Sequence, residues 1–260
     1  ILVIPLGVLG AAIATLIAQA VSAVLVTVTL MYRTEGMKLC LSQIRMYKRM
    51  LQSILKIGLP AGFEAIMYSI SNIIVQVSIN NFGVDTMAAW TAYSKIDFIF
   101  WMINSAFGIS VMTFVGQNYG AGKWDRIRRG TKICLGMALI SAVSVSIILM
   151  SAERFLFGIF VNDAGVVEIG IRMMNVIAPA YLLFAFIEVF SGALRAQGAV
   201  VVSTLITMVG ICVLRMIWVT LVAAHGTLEQ VIICYPITWA AGALAMSIYY
   251  IYKQRKIFQA

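Results

Sequence analysis

The sequence predicts an all-α, polytopic membrane protein of about seven transmembrane helices, on three observations. Of its 260 residues 62% are hydrophobic and only 11% charged, with a mean hydropathy of +0.98, whereas a soluble domain carries roughly 25% charged residues. The apolar runs are also long enough for a bilayer span, which needs about 20 residues. Finally, fifteen of the nineteen Lys and Arg residues fall in alternate gaps between those runs. Transmembrane strands are excluded, because they would be about 10 residues long with period-two alternation.

In order, the spans are 8–32, 57–82, 86–115, 131–151, 169–193, 201–224 and 228–252. Gly and Pro inside several of them are compatible with helix, because neighbouring spans satisfy the freed backbone groups. The gap after the first span holds Arg33, Lys38, Arg45, Lys48, Arg49 and Lys56, and the gap after the third holds Lys123, Arg126, Arg128, Arg129 and Lys132. Arg195 follows the fifth span, and Lys253, Arg255 and Lys256 follow the last. The gaps at 83–85 and 225–226 have no basic residue, and the one at 162–165 has only Arg154 and Arg172 at its margins. Retention of Lys and Arg on the cytoplasmic side then places the C-terminus inside the plasma membrane and runs the first span from outside to inside. A nucleic-acid partner is excluded although the net charge is +9, because the charges are dispersed over separate loops.

Four segments follow: a first helix at 1–32, a basic linker at 33–56, six spans at 57–253 and a tail at 254–260. The chain opens on Ile1-Leu2-Val3-Ile4-Pro5 without Met and without the basic start of a signal peptide, so it reads as the remainder of a longer protein. In the linker Ile44, Tyr47, Met50, Leu51 and Ile54 recur at helical spacing against Arg45, Lys48, Arg49 and Gln52. This pattern predicts an amphipathic helix drawn to anionic membrane lipids; the alternative is a solvated basic loop.

Cys40, Cys134, Cys212 and Cys234 show no metal or redox spacing, and His225 is the only histidine. A metalloenzyme or a His-based hydrolase has almost nothing to work with, and no cofactor is expected.

Ionisable groups inside spans are expensive and therefore informative. Here they are Glu64, Lys95, Asp97, Glu188 and Arg215. Glu64, Tyr68 and Asn72 follow at i, i+4 and i+8, a polar ladder on one face. Trp90, Tyr93, Asp97, Trp101 and Asn104 form one stripe of the third span. An acid flanked by aromatics and an amide suits an organic cation, through charge and cation–π attraction. Tyr181 and Glu188 share a face of the fifth span. Depth along the helices puts Glu64 and Glu188 both about 10 to 15 Å from the cytoplasmic boundary, close enough to meet, and pairs Asp97 with Arg215 as an ion bridge. For each such group the competing role is helix packing alone. Pro60, Pro179 and Pro236 lie inside spans and each is expected to kink its helix.

The string Phe114-Val115-Gly116-Gln117-Asn118-Tyr119-Gly120-Ala121 resembles the VGQNxGA signature of the multidrug and toxic compound extrusion (MATE) transporters. Gly7 to Thr15, Ile57-Gly58-Leu59-Pro60-Ala61-Gly62 and Ser191-Gly192-Ala193-Leu194-Arg195-Ala196-Gln197-Gly198 fall in the matching order. The resemblance implies the sixth helix of a twelve-helix transporter followed by its complete C-terminal six-helix lobe, whose partner is the missing N-terminal lobe. It also implies antiport, with H+ or Na+ entry driving export of small organic cations or amphipathic drugs. In the sodium-coupled branch this lobe carries a Glu on helix seven and an Asp on helix ten, positions occupied here by Tyr68 and Phe184. Glu64 and Glu188 each stand one turn away and form the alternative place for Na+; otherwise coupling resides in the other lobe. The rival readings are a lipid-linked oligosaccharide flippase of the same superfamily and a non-transporting membrane scaffold.

Overall fold

The computed structural model describes residues 7–32, 39–40, 45–222 and 226–259, so Arg33, Lys38, Ile44 and His225 lie outside the described residues. Every regular element among the described residues is helical. Seven helices are long and apolar enough to cross a membrane. The chain divides into two compact units, Ile1–Ile54 and Leu55–Ala260.

In the first unit, α1 (Gly7–Tyr32) has 26 residues. At 1.5 Å per residue it is about 39 Å long, more than the roughly 30 Å hydrocarbon core. It is predominantly apolar, Gln19 and Ser22 being among its few polar residues, and its described side chains are nearly all exposed. Thr27 and Thr29 donate their hydroxyls to the carbonyls of Ala23 and Leu25 at 2.7 and 2.8 Å, so both meet the membrane already bonded.

α2 (Lys48–Asn80) is one continuous helix, so the end of the basic linker is not a separate surface helix but the first turns of the span. Apolar character marks where lipid lies, whereas helical hydrogen bonding continues beyond it. The same reason lengthens α3 (Val84–Gly120) and α4 (Trp124–Ser151). The signature string from Phe114 to Gly120 is therefore helical, and Arg126, Arg128, Arg129 and Lys132 occupy the first turns of α4.

The remaining spans are interrupted. After the short α5 (Glu153–Gly158), α6 (Ala164–Ile177) is capped by Asp163, whose carboxylate accepts from Gly165 and Val166 at 2.7 and 3.2 Å. A 3-10 turn at Ala178–Ala180 contains Pro179 and leads into α7 (Tyr181–Ala196). The next span alternates α8 (Val200–Thr207), a π turn at Met208–Val213, α9 (Leu214–Ile217) and a second π turn at Trp218–Val222. The last comprises α10 (Leu228–Ile232) and α11 (Cys234–Gln259). Pro236 lies in the first turn of α11, where a helix has no donor to lose, while Pro60 sits inside continuous α2.

Two connections end their helices the same way. Lys123 and Gly122 donate to the carbonyls of Asn118 and Tyr119, and Ala199 and Gly198 to those of Leu194 and Arg195, at 2.9–3.1 Å. These are Schellman closures, which need a left-handed residue; Gly122 and Gly198 supply it with φ of 66° and 78°. Gly198 ends one of the signature segments, and Gly122 immediately follows another.

α7 lies at the centre of the second unit, its residues from Ile187 to Leu194 mostly buried, against α3, α4 and α11. A Cβ on Gly192 would stand 2.7 Å from the Gly108 carbonyl oxygen, so the α3–α7 crossing depends on paired glycines. By contrast α2 makes few close backbone approaches and buries only Ser71, Val75 and Ile79, one face of its last turns.

Candidate functional site

A cavity of about 410 Å³ opens between α2, α3 and α11. The i, i+4 ladder of α2 places Tyr68 and Asn72 on its wall, the stripe of α3 places Trp90, Tyr93, Asp97 and Trp101 there, and α11 adds Tyr235 and Trp239. Asp97 is held from two sides. Its Oδ2 accepts from Trp101 Nε1 at 2.6 Å and its Oδ1 from the Tyr181 hydroxyl at 2.5 Å. Tyr181 also meets the Tyr93 hydroxyl at 3.1 Å. The Tyr181 ring stacks on Phe100 with centroids 3.9 Å apart, which fixes the hydroxyl that bonds the acid. Trp101 and Trp239 both stand edge-on to Phe184, and Tyr235 stands edge-on to Trp239. The result is a rigid aromatic box with one carboxylate in its wall.

The expected Asp97–Arg215 ion bridge is absent: the ion pairs among the described residues are Arg154–Glu168, Arg172–Glu229 and Arg195–Glu64. Equal depth does not make two side chains face each other. Arg215 turns to α2 and α11, donating from Nη1 to Asn72 Oδ1 at 3.1 Å with its guanidinium 4.3 Å from the Tyr235 ring and 5.7 Å from the Tyr68 ring. It sits on the short α9 between two π turns, and such turns recur at functional sites.

Glu64 belongs to a separate cluster. Both its oxygens accept from Arg195 Nη2, at 2.7 and 2.9 Å, and Oε2 also accepts from Thr204 at 3.0 Å. Glu188 shares the electrostatic surroundings of Glu64 and Arg195 and lies over Gly108, in the space a Cβ would take. A Na+ at Glu64 has to displace Arg195 and Thr204. Among the described residues no three His, Cys, Asp or Glu side chains form a metal-binding group. Asn104 is buried with its Nδ2 unpartnered and is not part of the cavity wall.

Of the sequence-predicted residues, Tyr68, Asn72, Asp97 and Trp101 therefore meet at one cavity and Tyr181 backs it, while Glu64 and Glu188 gather around Arg195. Sequence reasoning missed Tyr235 and Trp239, whose i, i+4 spacing beside Pro236 was the available signal.

The MatE family model matches residues 60–221. The chain belongs to the MatE family. This MatE chain is 25% identical to the probable multidrug resistance protein YoeA of Bacillus subtilis, over 97% of its own length and 56% of that protein's. It is 26% identical to the probable multidrug resistance protein NorM of Thermotoga maritima, over 81% of this chain and 45% of that one. It thus spans about half the length of the curated relatives it matches. Among solved structures, a multidrug resistance MATE family transporter in an outward-facing conformation superposes with a TM-score of 0.88 at 18% identity, over 98% of this chain and 58% of that one. A MOP superfamily transporter from Pyrococcus furiosus does so with a TM-score of 0.87 at 17% identity, over 96% and 57%. At these identities the likeness is one of fold. The MatE chain is an integral membrane protein.

Proposed function

We propose that the chain is the C-terminal half of a secondary active exporter in the bacterial inner membrane, its C-terminus cytoplasmic, which exchanges H+ or Na+ for cationic or amphipathic organic compounds. The observation that carries this reading is Asp97, a carboxylate presented by an aromatic cavity. Aromatic faces attract a desolvated organic cation, and the carboxylate neutralises it. A proton and an organic cation compete for one carboxylate, which is the minimum that antiport needs. The names of the curated relatives support export, and their length supports a second lobe as partner. Glu64 and Glu188 are the remaining carboxylates within the spans of this lobe, with Arg195 as the competing cation.

The test is efflux of a fluorescent cation such as ethidium from cells making the twelve-helix protein that carries this chain. Asp97→Asn is expected to lower efflux at least tenfold at equal expression. Normal efflux by that variant would falsify the assignment of Asp97.

A further inference from the structure

A second concave surface lies between α3 and α4 and shares no residue with the Asp97 cavity. It is a groove of about 370 Å³, walled by Phe107, Ser110 and Phe114 of α3 and by Gly130, Ile133 and Met137 of α4. Gly130 gives the Phe114 ring its place, because a Cβ there would fall on the ring. Ile133 and Met137 are 64% and 56% exposed, so the groove is open on their side. Its polar side chains are already satisfied. The Ser110 hydroxyl donates to the Ala106 carbonyl at 2.7 Å, and the thiol of Cys134, on the same wall, donates to the Phe107 carbonyl at 3.8 Å. A groove whose wall offers no free polar side chain holds water poorly and takes an apolar occupant.

The charge at one end of the groove tells what else that occupant carries. Arg126, Gly130, Ile133 and Met137 follow one another at steps of four, three and four residues, which keeps them on one face of α4. Arg129 stands one turn before Ile133, at the edge of that face. Both arginines are exposed. Neither belongs to an ion pair of the described residues, nor does Asp125, the acid of the same turn. Arg128, by contrast, lies near the Tyr250 hydroxyl of α11.

The depth of these residues in the bilayer follows from a ring pair. Tyr119 and Trp124 meet edge-on across the α3–α4 turn with centroids 5.1 Å apart, and each stays more than a third exposed. Exposed Tyr and Trp at the end of a span mark the headgroup level. The arginines of the first turns of α4 therefore stand at that level. From Gly130 to Met137 the groove runs about 10 Å beneath them, within the roughly 15 Å of hydrocarbon in one leaflet.

We propose that this groove is a binding site for an anionic phospholipid, with an acyl chain between Phe107, Phe114, Ile133 and Met137 and the phosphate held by Arg126 and Arg129. Arginine suits the second role because its stem lies along apolar surface while its guanidinium pairs with two phosphate oxygens. A zwitterionic lipid offers the same chain and phosphate, but its ammonium group cancels the attraction of the basic turn, so net charge is what the site selects.

The test is photo-crosslinking of the full protein that carries this chain, in phosphatidylcholine vesicles holding a trace of phosphatidylglycerol with a diazirine on one acyl chain. Labelled peptides are located by mass spectrometry, and a phosphatidylcholine probe with the same chains is the reference. Residues 107–114 and 130–137 are expected to take up at least about tenfold more of the anionic probe, since each basic side chain nearby adds to its attraction. Arg126→Gln combined with Arg129→Gln is expected to bring that ratio to about twofold or less. Ser110→Phe, which fills the groove, is expected to lower labelling by both probes. Arg255→Gln combined with Lys256→Gln removes as much charge from the exposed end of α11 and is expected to leave the ratio unchanged.

Equal labelling by the two probes overturns the proposal, as does a ratio that survives loss of Arg126 and Arg129 or falls equally with the α11 variant. Labelling by neither probe also overturns it and leaves the groove to a protein neighbour. The ratio in the unaltered protein needs no variant, so it decides even if Ser110→Phe does not fold.

Discussion

One guanidinium nitrogen of Arg195 lies within 2.9 Å of both carboxylate oxygens of Glu64, tying α7 to α2 across 131 residues of sequence. Side-chain exposures of 33% for Arg195 and 13% for Glu64 place the pair between a screened surface bridge and a fully buried one. Glu64→Ala is expected to lose about 2 kcal/mol, since it strands Arg195 and the Thr204 hydroxyl. A fall in apparent unfolding temperature in detergent reads this, and an unchanged temperature shows that the pair contributes nothing.

The glycine crossing of α3 and α7 makes a sharper contrast. Gly192→Ala pushes a methyl group against the Gly108 carbonyl and is expected to destabilise by about 1–3 kcal/mol, as overpacking does. Gly62→Ala meets nothing within 4 Å and is expected to be neutral or to stabilise by about 0.5–1 kcal/mol, because it stiffens an exposed helix. Equal effects of the two in a thermal unfolding series contradict the crossing described above.

The acid network predicts a ranking. Tyr181 donates to the Asp97 carboxylate at 2.5 Å, whereas the Tyr93 hydroxyl bonds chiefly to the Tyr181 phenol, at the longer distance of 3.1 Å. Tyr181→Phe should therefore destabilise by about 1.5–3 kcal/mol and Tyr93→Phe by about 0.5–1.5 kcal/mol. The reverse order in the same assay shows that Asp97 does not depend on Tyr181.

At the Schellman turn, Gly122 has a φ of 66°. Gly122→Ala is expected to cost about 1–2 kcal/mol, and Gly122→Asn less, since Asn visits this region more readily. Circular dichroism melts of the two variants separate them.

The spans and the signature segments were legible because hydropathy and a short motif are local in sequence. The Asp97–Trp101 bond was legible for the same reason, since its partners share a helix face at i, i+4. What joins one helix to another was not. Arg195 reads in sequence as a loop charge that reports topology, yet it folds back onto Glu64. Lys253 likewise reads as a tail charge but donates to the Gln197 carbonyl at 3.0 Å, beside the Gln254–Gln197 bond at 3.1 Å. The Asp97–Arg215 bridge failed because residue counting measures depth along a helix and says nothing of the direction a side chain takes around it. Tyr235 and Trp239 escaped notice because an aromatic pair on a span is indistinguishable from core until the opposing wall is known.

The loose seating of α2 has a consequence for how this lobe can change shape. Phe63, Ile66, Ile73 and Val77 are more than half exposed, so swinging the helix outward uncovers chiefly the narrow face of Ser71, Val75 and Ile79. Beyond that buried face, it is held by two polar fasteners, Glu64 with Arg195 and Thr204, and Asn72 with Arg215. In hydrocarbon such bonds have no substitute partner and stay shut; in the presence of water or a polar ligand they exchange. A polar group that competes with Arg215 for Asn72 therefore also loosens one of the bonds that seat α2.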